Sequence, residues 1–164
     1  MRHPLATLLL ALLATPVLAG APTTKALRPE DSERVAFKMQ IREMLRLGQF
    51  DELERTARSL IADDPRYSCG VSKLVDFHTA MDPIQESGPN GFDAMTATFT
   101  AWSQAKPSSY LPKVGFAYVE SSRAWKARGN GFSREVSPEG WDGFHRHMKA
   151  AMEWGRKALA DGET

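Results

Sequence analysis

The residues of this chain that could do chemistry are few and scattered. Tyr67-Ser68-Cys69-Gly70 places a hydroxyl and the only cysteine near an expected helix start, where the helix dipole can lower a thiol pKa. With a histidine such as His78 behind it, Cys69 would supply a thiol nucleophile. Nothing else in the chain completes such a set. Gly-x-Ser-x-Gly, Cys-x-x-Cys, His-Glu-x-x-His and a Gly-rich phosphate loop are all absent. Free Cys is among the most buried residue types, so Cys69 is expected in the core. A single Cys also rules out an intramolecular disulfide, leaving packing alone to hold the fold.

His145 and His147 are two apart on an expected helix and so point roughly 160° away from each other. They cannot share a metal as an i, i+4 pair can, and no acid stands at ligand spacing beside His78. No metal and no cofactor is expected. Arg128, directly before Gly129, either offsets the negative end of its helix or clamps a ligand carboxylate. Trp125, three residues earlier, reads as a core anchor. Trp154 and His147 lie two turns apart on the flank of the last helix, beside its core stripe. With Arg128 they are the candidate partner-binding residues. Asp63-Asp64 and Asp51-Glu52 suit a helix end and a helix start better than acid–base catalysis.

The elements that must position these residues are all helical. Phe37, Ile41, Met44 and Leu45 share one face of a first helix that starts near Asp31 or Ser32 and ends at Gly48. Leu53, Ala57, Leu60 and Ile61 line a second helix that opens at Phe50 and stops at Asp63-Asp64-Pro65. A third is expected over residues 68–81, with Val71, Leu74, Val75 and His78 inward. After a Pro- and Gly-rich loop at 83–91, Asn90 can cap a fourth carrying Phe92, Met95, Phe99 and Trp102. Ser108 or Ser109 caps a fifth, with Pro112 in its first turn and Gly129 at its end. Ser137-Pro138-Glu139 opens the last, which buries Trp141, Phe144, Met148, Ala151 and Leu159. No alternating strand pattern occurs, so an all-α fold of about six helices in antiparallel hairpins is expected.

Residues 1–19 read as a secretory signal peptide. Arg2 gives a positive start, Leu5 to Leu13 are apolar except for Thr7, and Val17-Leu18-Ala19 is a small-residue exit. Cleavage is expected after Ala19 or Ala21, followed by a flexible leader over 20–30 and one helical domain over 31–162. The apolar run is shorter than the ~20 residues a membrane helix needs. Cleavage would remove one basic residue and no acid, leaving twenty of the 21 basic residues against 20 acidic. A neutral chain has no global electrostatic reason to bind nucleic acid or anionic lipid.

Leu47-Gly48-Gln49-Phe50-Asp51-Glu52-Leu53, continuing to Asp63-Asp64-Pro65, resembles the second half of a tetratricopeptide repeat. Trp102 to Lys106-Pro107-Ser108-Ser109-Tyr110, then Ala124-Trp125-Lys126-Ala127-Arg128-Gly129 and Val136-Ser137-Pro138-Glu139-Gly140-Trp141, resembles the DUF4034 family of bacterial proteins. That resemblance spans roughly residues 40–160 and implies a compact, tetratricopeptide-like helical domain. The expected function is an exported, periplasmic or secreted, non-enzymatic interaction domain binding a protein or peptide of the bacterial envelope. The alternative is a small envelope enzyme or thiol-dependent protein using Cys69 with a histidine.

Overall fold

The computed structural model describes residues 28–83, 88 and 90–162. The expected signal peptide, nearly all of the expected leader and most of the loop at 83–91 lie outside the described residues. Among the described residues the fold is all-helical. The order is α1 (Pro29–Arg46), α2 (Phe50–Asp63), α3 (Lys73–Thr79), α4 (Phe92–Ala105), α5 (Leu111–Arg128), a 3-10 turn (Ser133–Glu135) and α6 (Pro138–Gly162). The extended backbone among them is one isolated bridge, Arg66 with Ser72.

Helix α1 begins at Pro29, ahead of the Asp31 or Ser32 start and inside the expected leader. Proline suits the first helical position because its missing N–H would have no partner there anyway. Arg28 reaches forward to the Asp31 carboxylate at 3.0 Å and secures that turn. Gly48, at φ +65°, turns the chain into α2. Leu53, Ala57 and Leu60 are buried there as their spacing predicts, but Ile61 is 52% exposed. One residue past Leu60 it is rotated by about 100°, to the edge of the buried stripe.

Helix α3 is much shorter than residues 68–81. Gly70 adopts φ +82°, and its N–H donates to the Tyr67 carbonyl at 2.8 Å, so residues 67–70 form a turn instead of helix. Ser72 then caps α3 by accepting the Leu74 N–H at 3.2 Å. Cys69, on that turn, is exposed rather than buried. Val75 is 50% exposed, and Phe77 and Asp76 take the inward positions instead. Gly91, not Asn90, precedes α4, whose Met95, Phe99 and Trp102 enter the core as expected.

The core gathers Ile41, Leu45, Leu53, Phe77, Met81, Met95, Phe99, Trp102, Leu111 and Val119 from α1 to α5. Helix α6 joins chiefly through α5. Its side chains meet α5 in reversed order: Gly143 faces Ala127, His147 pairs with Glu120, Trp154 stacks on Phe116, and Asp161 pairs with Lys113. The approach is close because the facing residues are small. A Cβ on Gly143 would stand 2.8 Å from the Ala127 methyl. Gly143, Ala151 and Ala158 are therefore the buried residues of α6, while Trp141, Phe144 and Met148 are only half-buried. Leu159, expected inside, is 67% exposed. Trp125, expected as a core anchor, is 55% exposed, with one edge against Phe144.

Candidate functional site

Small residues on α6 bring it close to α5 on one side and leave its larger apolar residues without a neighbour on the other. The result is a groove of about 780 Å³. Its floor is α5, through Tyr110, Val114, Ala117, Tyr118 and Ser121, which recur at helical spacing. One wall is α6, with Met148, Ala151, Met152, Gly155, Ala158 and Leu159. Ile61 from α2 and His78 from α3 form the other. From Tyr110 to Ser121 the floor runs about 16 Å at ~1.5 Å per residue. A volume of this size falls in the ~300–1,000 Å³ range of ligand sites, and an apolar lining with few polar groups is their usual character.

The polar residues of the groove, His78, Tyr110, Tyr118 and Ser121, are half-buried and uncharged. His78 Nε2 is buried without a hydrogen-bond partner among the described residues. Burial pushes the His78 imidazole below its ordinary pKa and keeps it neutral. The Tyr118 hydroxyl is pushed up, first by burial and then by the charge of Asp82. Asp82 accepts a hydrogen bond from Ser122 on α5, and its carbonyl faces Arg42 of α1 at 3.5 Å. Burial lowers the Arg42 pKa, and its Nε has no hydrogen-bond partner among the described residues. This arrangement can accept an apolar ligand and offer a hydrogen bond to a polar atom that it carries. Among the described residues, no three or more His, Cys, Asp or Glu stand together in a way that could hold a metal ion.

The sequence-derived candidates lie elsewhere on the α5–α6 pair. Arg128 is half-buried between two indole rings, 5.6 Å from the Trp125 centroid and 5.5 Å from that of Trp141. Its guanidinium also donates to the Gly129 and Gly131 carbonyls, which fits the helix-end role. Trp154 stacks on Phe116 with centroids 4.5 Å apart, and Lys157 covers its ring. His147 Nδ1 donates to Glu120 at 2.7 Å, and Arg123 binds the same carboxylate at 2.8 Å. None of the three lines the groove, and Cys69 does not either. His78 does.

Sequence reasoning missed Ile61, Met152 and Leu159 as a surface. The available signal was the width of the α6 stripe: Met148, Ala151, Met152, Gly155 and Leu159 span more of the helix than one packed neighbour covers. No helix among the described residues is long and apolar enough to cross a membrane. Comparison with curated proteins and with solved structures gives no match. A family model described as a domain of unknown function, DUF4034, matches residues 37–153 and so takes in the floor of the groove and α6 as far as Glu153. The chain belongs to the DUF4034 family.

Proposed function

We propose that this chain is an exported, non-enzymatic interaction domain. In this reading residues 31–162 form one unit of stacked antiparallel hairpins, tetratricopeptide-like, and the groove takes an apolar segment of a protein or peptide of the bacterial envelope. The observation that carries this is the groove lip. Ile61, Met152 and Leu159 are 52%, 54% and 67% exposed around one continuous apolar depression. Large apolar side chains left together in water mark interaction surfaces, and a pair of methionines adapts to varied partners. Stacked helical hairpins commonly present such grooves to peptides.

The test is affinity capture from the host's envelope fraction, with the wild-type chain beside a Met152→Asp variant. A partner held by the wild type at near-equal amount and lost by the variant supports the reading. A partner held equally by both, or none held by either, overturns it. Met152 is more than half exposed, so the variant is expected to fold.

The exposure of Cys69 favours a second reading, in which the protein acts through its thiol. Folded chain is expected to react with a thiol reagent within a few-fold of the unfolded rate, since access is not blocked. Reaction only after denaturation would remove this reading altogether. Reaction in the folded state, together with loss of a cellular phenotype in Cys69→Ser, would promote it.

A further inference from the structure

The charges on the lips of the groove indicate what it holds. Counting about 100° per residue around α6, Arg156 and Lys149 stand roughly 40° and 60° beyond Met152 on the solvent side, while Glu153 stands roughly 100° beyond. Of the charges on the solvent side of α6, these two cations therefore stand nearest Met152. The carboxylates that act on the floor tyrosines, Asp82 and Glu54, are each already met by a donor, Ser122 and Trp102. Neither cation makes an ion pair among the described residues, and both are exposed. On the opposite lip Arg58 precedes Ile61 by one turn and pairs with Glu54 at 4.0 Å. That carboxylate is already engaged by the Trp102 indole N–H at 2.9 Å. An apolar channel edged along α6 by two cations without an ion pair among the described residues complements a segment that is apolar on one face and acidic beside it. The floor length of about 16 Å equals three turns of helix, enough for anchors at i, i+3 or i+4, and i+7.

Resting on the interaction-domain reading, we infer that the groove binds an acidic amphipathic helix about three turns long. Its apolar face lies on α5 and its carboxylates meet Lys149 and Arg156. The probe is a fluorescent synthetic peptide of about 14 residues, Leu at the anchor spacing and Glu on both flanks, titrated against the purified chain by anisotropy. A twin carries Lys for every Glu. The acidic peptide is expected to bind at least about tenfold tighter than its twin, and more weakly as salt rises. The double variant Lys149→Glu, Arg156→Glu is expected to erase that preference with an unchanged melting temperature, because both side chains are exposed. Equal binding of both peptides, lost in Met152→Asp, overturns the acidic partner and leaves the groove as an interaction site. Binding of neither peptide, or binding of dodecanoate in their place, overturns the helical occupant.

Discussion

Trp102→Ala is expected to lower the stability of the folded chain by about 3–5 kcal/mol, the range for truncating a fully buried tryptophan. Trp102 has no exposed surface. Its ring stacks on Phe50 of α2 with centroids 5.6 Å apart, and its indole N–H donates to Glu54 on the same helix. One side chain of α4 thus ties down α2 by apolar area and by a charge-assisted hydrogen bond. Trp102→Phe separates the two contributions. It retains most of the area but leaves the Glu54 carboxylate, only 15% exposed, short of a donor, at a cost of about 2 kcal/mol. Trp125→Ala is the control. That ring is 55% exposed and touches the edge of Phe144 and the guanidinium of Arg128, so its loss should cost about 1 kcal/mol. Chemical unfolding of the three variants checks the ranking. A Trp125→Ala loss equal to that of Trp102→Ala would contradict the burial pattern.

The contrast between these tryptophans shows what periodicity can reveal. Spacing identifies which residues share a face, and Met95, Phe99 and Trp102 were legible for that reason. It does not say whether another element covers that face. Trp125, Leu159 and Ile61 all sit on apolar stripes, yet each is more than half exposed. Two of the residues misplaced by sequence reasoning, Ile61 and Leu159, help to line the groove. The shortened α3 has a different cause. Its apolar pattern is real, but Gly70 at φ +82° spends the first residues on a turn and puts Cys69 into solvent. The meeting of Ile61 with Met152 was hidden for a third reason: they line one channel only after α2 and α6 are set around α5. The pairing of Arg34 with Asp76, 42 residues apart, left no local signal at all.

That pair supplies the second large effect. Asp76 is 1% exposed, and both its oxygens accept from the Arg34 guanidinium, at 2.8 and 2.9 Å. Lys38 stands at 4.0 Å. A carboxylate buried this far is tolerated only when its charge is met, so Arg34→Met should cost about 3–5 kcal/mol at neutral pH. Asp76→Ala should cost less, because Arg34 is 31% exposed and can turn to water once its partner is gone. The hydrogen bonds from Arg34, together with its charge, hold the Asp76 carboxyl below the usual carboxylate range despite burial. A group whose folded pKa is depressed contributes stability that is complete above its unfolded value, near 3.8 here, and is lost as pH falls through the folded value. The deficit of Arg34→Met should therefore be full at pH 7 and close completely only as pH falls below 3.8 and through the depressed folded value, where Asp76 becomes neutral in both proteins. Unfolding free energies of wild type, Arg34→Met and Asp76→Ala across that range test the assignment. A deficit that stays constant with pH would mean that Arg34 acts by packing its alkyl stem over Tyr67, 5.9 Å from the guanidinium carbon, and not through Asp76.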